Sequence, residues 1–343
     1  MKALVPARVR RAVRRLKERW TPRGLILMYH RVGAGGADPW GLRVSPEHFA
    51  EHLDVLTRRG SPMALSGLAE AVDRGRLPRR AVAVTFDDGY ADNLHAAVPL
   101  LERHDVPATV FLTTGYLGGQ REFWWDALEQ VLLHDAPLPA CLRVTVGGEP
   151  FAWASEGEGA GGHAPASQGW RCWEEPPTER QALYLALWQR LQKQPEAERW
   201  AVLDGLARWA GVSLTVRPDL RALTDDEVTR LASGSLVEAG AHTVTHPPLS
   251  ALPLAAQRDE VARSKACLEA RLGRPVRSFS YPHGEFTPET VSVVREAGFA
   301  SACTTVPAPV TGGADPLLLP RLFVEDWSGE AFERVLERHL GGQ

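Results

Sequence analysis

A chain of 343 residues, 44% of them hydrophobic, can bury one large α/β domain or two smaller ones, and it contains no run of 18 apolar residues, which excludes a transmembrane helix. Its net charge of −3 is unevenly placed: residues 1–23 hold nine Lys or Arg against the single Glu18, about +8, which leaves about −11 for the other 320. The N-terminus lacks the apolar core of a secretory signal, and Cys141, Cys172, Cys267 and Cys303 form no Cys-x-x-Cys pair, so the expected location is the cytoplasm, with neither a disulfide framework nor a zinc ribbon; outside the basic N-terminus nothing suggests nucleic acid.

Within residues 1–22, Val5, Val9, Val13, Leu16 and Trp20 recur at helical spacing, an apolar stripe on a helix otherwise faced with Arg and Lys. Such a helix packs across the bottom of its own domain, the preferred reading, or makes a peripheral contact with an anionic membrane through residues 1–20. From residue 24 strands and helices alternate. LILMY at 25–29 is a buried-strand run that delivers His30 to its C-terminal end. Ser45-Pro46-Glu47 caps a helix carrying Phe49, Leu53, Val55 and Leu56 inward, and a short strand at 63–65 and a helix from Ser66 follow. VAVTFDDGY at 82–90 reads as a strand ended by a tight turn at Gly89, with Asp87 and Asp88 at its tip; a helix at 91–104 and a strand at 108–113 complete a βαβαβαβ order, which implies a parallel sheet.

That rhythm stops near Gly118 and returns near Thr224. The interval 120–222 reads as an insertion grown from one loop, with a hairpin around Gly147-Gly148, a Gly/Ala/Ser/Glu-rich stretch at 155–169 expected to be a mobile loop, and helices at 178–193 and 196–210. Its tryptophans 124, 125, 153, 170, 173 and 188, with 200 and 209, either stack on a sugar or fill a small core, and core filling is the preferred expectation. Beyond it, Thr224-Asp225-Asp226-Glu227 caps a helix, a strand at 236–241 ends at His242, a long helix covers 254–272, and a strand at 276–281 ends in Pro282-His283-Gly284. A helix after Pro288, strands at 300–304 and 317–324 and a helix at 330–340 finish the chain. Seven or eight parallel strands suit a closed or nearly closed (β/α) barrel over 23–119 and 223–343 better than a doubly wound open sheet.

A barrel gathers its C-terminal strand tips around one mouth, so His30, Asp87, Asp88, Thr113, His242, Tyr281 and His283 are expected together. Asp-Asp-Gly is also ordinary turn chemistry, in which Asp87 would bond its own backbone. His242 and His246, four apart, are within reach of one cation, and a carboxylate with two imidazoles is a common zinc ligand set.

TFDDG at 85–89, HTVTH at 242–246 and SYPHG at 280–284, supported by LMYHRV at 27–32 and PATVFL at 107–112, resemble the motifs of the polysaccharide deacetylases of NodB-homology type, carbohydrate esterase family 4. The resemblance implies a distorted (β/α) barrel in which Asp87 is the catalytic base and Asp88, His242 and His246 bind a divalent metal, Zn2+ first, with Co2+, Ni2+ or Mn2+ as alternatives. It implies a metal-dependent hydrolase that removes acetyl groups from N-acetylated amino sugars in a polysaccharide or glycan precursor. The alternatives are an O-acetyl esterase or non-sugar amidohydrolase, or a carbohydrate-binding pseudoenzyme, against which the complete Asp-Asp and His-His set argues. Tyr281, His283 and Arg321 are assigned to the substrate and oxyanion side, with a backbone N–H near His283 as the oxyanion donor. The arginine of the family's Arg-x-Pro-Tyr segment is absent at 279–284, which leaves open what orients Asp87; Arg321, in PRLF on the last strand, is the substitute. The family's late strand-ending histidine is also missing, because His339 sits in a terminal helix. LILMYH has its form at the start of the chain, so the motif order is expected to be permuted, with His30 as general acid.

Overall fold

The computed structural model describes residues 22–155 and 169–341, so the basic stripe of residues 1–20 and nearly all of the 155–169 stretch lie outside the described residues. In chain order the first part holds β1 (Arg23–Tyr29), β2 (Arg31–Val32), β3 (Arg43–Val44), α1 (Pro46–Arg59), β4 (Ser61–Pro62), α2 (Leu65–Asp73), β5 (Ala81–Phe86), a π-helical turn over Asn93–Ala97 running into α3 (Val98–His104), and β6 (Ala108–Leu112). α1 starts where the sequence signals it. The Ser45 side chain accepts the His48 N–H, Pro46 occupies the first turn, and Phe49, Leu53, Val55 and Leu56 are buried.

Then come α4 (Trp124–Leu132), the antiparallel hairpin β7 (Cys141–Val146) and β8 (Glu149–Ala154), α5 (Glu179–Leu191) and α6 (Glu196–Ala210). The hairpin turns at Gly147 and Gly148, both at positive φ, as a tight two-residue loop requires. These elements pack around a cluster of their own that includes Trp124, Leu128, Tyr184, Leu187 and Leu203, distinct from the barrel cluster of Leu27, Phe86, Val110 and Phe279. The chain returns through α7 (Asp225–Leu231), β9 (Val237–Ala241), α8 (Leu254–Leu272), β10 (Ser278–Ser280), α9 (Pro288–Glu296), β11 (Ser301–Cys303), β12 (Val310–Thr311), β13 (Leu322–Phe323) and α10 (Gly329–Leu340).

Seven parallel strands curl in the order β11-β10-β9-β6-β5-β1-β13, while β4 adds two residues beside the start of β5 and β12 runs antiparallel to β1. The fold is therefore the α/β, distorted barrel expected from the sequence. Its closure is irregular. Leu319 pairs with Cys303 of β11, whereas Leu322 and Phe323 pair with Leu27 and Met28 of β1, so one short segment changes partner and joins the two sheet edges. Pro320, with no N–H to donate, lies at the changeover, which explains why the strand expected over 317–324 is reduced to two residues. Among the described residues no helix is long and apolar enough to cross a membrane.

Candidate active site

β5 is buried along its whole length and ends at Phe86, and the two carboxylates follow immediately. Asp88 (φ 72°) and Gly89 (φ 86°) both take left-handed conformations, which bends Asp87 and Asp88 toward one cavity; a Cβ on Gly89 would lie 2.6 Å from Leu112 Cδ2, so only glycine fits there. The turn is closed by the Gly89 N–H donating to the Asp87 main-chain carbonyl, so the Asp87 side chain is not the turn's acceptor.

That side chain is gripped instead by Arg321. Nη1 donates to Oδ1 at 2.7 Å and Nη2 to Oδ2 at 2.6 Å, a bidentate pair in which both partners are buried. Arg321 also donates to Ser280 Oγ, Thr85 Oγ1 and Thr304 O. Burial by itself would raise the Asp87 carboxyl, but the guanidinium and the His242 imidazole outweigh it and hold Asp87 well below the usual carboxylate range. Asp88 has no such cation. Burial, then Asp87, push its carboxyl well above the ordinary value.

His242 follows β9, and its Nδ1 lies 2.8 Å from Ser280 O; with the proton on Nδ1, Nε2 presents a lone pair. That Nε2 lies 3.6 Å from Asp88 Oδ1 and 3.1 Å from His246 Nε2, which is 3.4 Å from the same Oδ1. One ligand atom from each of Asp88, His242 and His246 thus falls within 4.8 Å of the others, all buried. Two imidazole nitrogens and a carboxylate oxygen, with the carboxylate disfavoured as an ion by its surroundings, fit a divalent cation of the zinc type, whose charge offsets that penalty.

The cavity above this cluster has a volume of about 320 Å³. His30, at the end of β1, lines it, with its ring 5.7 Å from Phe323; burial lowers its imidazole to about 4 while Asp87 pulls the other way. His283 lines it too, at φ 57° in the turn Pro282–Gly284, with its ring 4.6 Å from that of His246. Two of the residues assigned to the substrate side stand elsewhere. Tyr281 has its ring in the barrel core, its hydroxyl donates to Leu317 O and its N–H to Cys303 O, so both donors are engaged away from the cavity. Arg321 reaches the site only through Asp87 and Ser280.

Sequence reasoning missed Ser280, which contacts Asp87 and Arg321 through its hydroxyl and His242 through its carbonyl; a serine inside a short strand carries no local signal for this. It also under-read the aromatics. Trp124, Trp170 and Trp200 are buried in the second cluster, as core filling requires, whereas Trp125, which belongs to that cluster, and Trp40 and Trp188, which pack against it, also line the cavity, together with Trp173. Trp173 remains 56% exposed, and Trp188 packs on Trp40 at 4.1 Å between ring centroids.

A parallel barrel with this acid and imidazole cluster at its strand tips has its candidate site where barrel active sites are built, at the mouth of the sheet. The chain belongs to the polysaccharide deacetylase family, whose model matches residues 74–135 and 205–302 and breaks over the hairpin, α5 and the first half of α6. YxkH of Bacillus subtilis, classed with the polysaccharide deacetylases, is 28% identical over 111 residues, 32% of this chain and 38% of that protein. The poly-beta-1,6-N-acetyl-D-glucosamine N-deacetylase of Staphylococcus epidermidis is 26% identical over 107 residues, 27% of this chain and 37% of that protein. The chain thus spans less than two fifths of either of these relatives. The structure of the Streptococcus pyogenes deacetylase PplD in complex with acetate shares the fold, with a TM-score of 0.57 and 17% identity over 92% of this chain and 99% of that one.

Proposed function

We propose that this chain is a metal-dependent N-deacetylase that hydrolyses the acetamido group of N-acetylated amino sugars in a polysaccharide or glycan precursor. The observation that carries the reading is the Asp88, His242 and His246 cluster beside an Asp87 kept ionised by Arg321, at the base of a tryptophan-lined cavity. The N-deacetylase activity of the staphylococcal relative and the acetate held by the streptococcal one support it. Free thiols at all four cysteines support the cytoplasmic placement.

Asp88, His242 and His246 would hold one divalent ion, most fittingly Zn2+, which supplies Lewis acidity toward an acetyl carbonyl and acidifies a bound water. Asp87 takes the proton of the attacking water, and Arg321 and Ser280 fix the direction from which it does so. A backbone N–H near His283 donates to the carbonyl oxygen as charge develops there. The indole rings cover the apolar face of the sugar and exclude water. His30 delivers a proton to the leaving nitrogen. Because its resting ring is neutral near pH 7, this role depends on proton uptake during the reaction.

The test is acetate release across a panel of N-acetyl and O-acetyl glycans. The purified protein should carry about one divalent ion per chain, and chelation should abolish release; full turnover from an ion-free preparation would sink the metal role. A preference for O-acetyl substrates would move the reading to an esterase.

His30→Ala should keep the metal and lose turnover by a factor on the order of 10² to 10⁴, the usual worth of a proton donor, with a milder loss for substrates whose leaving group needs no protonation. Comparing kcat for an amide and an activated ester checks this. Equal losses on both would assign His30 to packing against Phe323.

A further inference from the structure

The loop that carries the two histidines is backbone held in an unfavourable shape. Thr243 (φ 63°) and His246 (φ 56°) are left-handed without being glycine, so something must hold them there. Hydrogen bonds to the loop's polar groups do so. The carbonyls of Thr243 and Val244 accept from the N–H groups of Thr114 and Gly115 beyond β6, and the His246 N–H donates to Thr243 Oγ1. The N–H groups of Val244 and Thr245 donate to Glu260 Oε2 at 2.7 and 2.9 Å, and Thr245 Oγ1 donates to Glu260 Oε1 at 2.7 Å. The Thr245 carbonyl accepts from Arg199 Nη1 at 3.1 Å.

Glu260 belongs to α8 of the barrel, whereas Arg199 belongs to α6, within the stretch the family model leaves unmatched. Arg199 is 1% exposed, and its other donors close the end of α5, from Nε to Leu191 O and Gln194 O and from Nη2 to Gln192 O. A guanidinium anchored to three carbonyls of one segment, with its remaining nitrogen on the histidine loop, makes the position of that loop depend on the segment between β6 and β9.

We propose that Glu260 and Arg199 are positioning residues that clamp the 243–246 loop from opposite sides and hold His242 and His246 at metal-binding spacing, so that the inserted segment is part of the site rather than an appendage. The inference rests on the metal-dependent reading above, and its test reads metal affinity and not only turnover. Apo-protein is titrated with Zn2+ against a chromophoric chelator for wild type, Glu260→Ala, Glu260→Gln and Arg199→Lys, and thermal unfolding is followed with and without Zn2+. The expected result is a 10- to 100-fold weaker Kd for Glu260→Ala and Arg199→Lys, the range typical when a supporting group behind a metal ligand is removed. Glu260→Gln should be partly rescued, because its amide oxygen still accepts the two N–H groups and its NH2 can donate to Thr245 Oγ1.

Kd values within twofold of wild type, with melting lowered equally in apo and loaded protein, would overturn the proposal and leave Arg199 as a helix cap. Should Arg199→Lys fail to fold, an unchanged Kd in Glu260→Ala alone overturns it, since Glu260 is only half-buried. Wild type that binds no Zn2+ would bring down the metal-dependent reading itself, a result separate from normal binding in wild type and variants alike.

Discussion

Replacing Asp87 with asparagine is expected to leave metal binding in place and to slow acetate release by a factor on the order of 10² to 10⁴, the loss that follows removal of a general base. Asparagine has the same shape and can still accept from Arg321, but it cannot take a proton from water. The change also removes the charge partner of a fully buried guanidinium. Loss of one member of a buried pair destabilises by about 3 to 5 kcal/mol, so folding must be verified before the rate is read. The remaining contacts of Arg321, to Thr304 O, Ser280 Oγ and Thr85 Oγ1, moderate that penalty without removing it. Metal content and single-turnover rates, measured below the melting point of the variant, separate the two effects. Metal loss in Asp87→Asn with metal retained in Asp88→Asn would exchange the roles assigned to the two aspartates.

Arg321→Met should lower stability by about 3 to 5 kcal/mol, because it strands the Asp87 carboxylate in the barrel without a cation. It should also change the direction of the pH response. In the wild type Asp87 lies below its unfolded value, so its contribution to stability is present above an unfolded pKa of about 4 and is lost only as pH falls through the lower folded value. Without the guanidinium, burial dominates and raises the folded pKa; stability is then greatest below about 4 and declines as pH rises toward the raised value. Melting temperature followed from about pH 4 to pH 7 should therefore fall in Arg321→Met relative to wild type. The double variant Asp87→Asn with Arg321→Met should be less destabilised than the sum of the singles, since neither partner is then left charged and alone. Parallel pH curves for wild type and Arg321→Met would refute the coupling.

The sequence by itself determined the alternation of strands and helices, the capped start of α1, the glycine hairpin, and the fact that Asp87, Asp88, His242 and His30 stand at strand tips. These are local properties: strand periodicity, a capping serine and a glycine at positive φ are set by residues within a few positions of one another, and a parallel barrel brings its tips together whatever the loops do. What only the tertiary structure decided lies between residues far apart in the chain. Arg321 and Asp87 are separated by 234 residues; the sequence offers Arg321 as the residue that orients Asp87 only as a substitute for a missing motif arginine, and their bidentate contact exists because the segment around Pro320 changes partner from β11 to β1 and carries the arginine inward. Whether a tryptophan only fills a core or also faces the cavity turned on the packing of α4 and α5, which encloses Trp124 in the second cluster and leaves its neighbour Trp125, in the same cluster, with one side on the cavity wall. Tyr281 follows Ser280, whose hydroxyl reaches Asp87, yet turns into the core, because consecutive residues leaving a strand face opposite ways and burial of its ring chose the side. Composition and spacing carry no term for such long-range choices, since each is made by the closure of the barrel and the packing of side chains from separate elements.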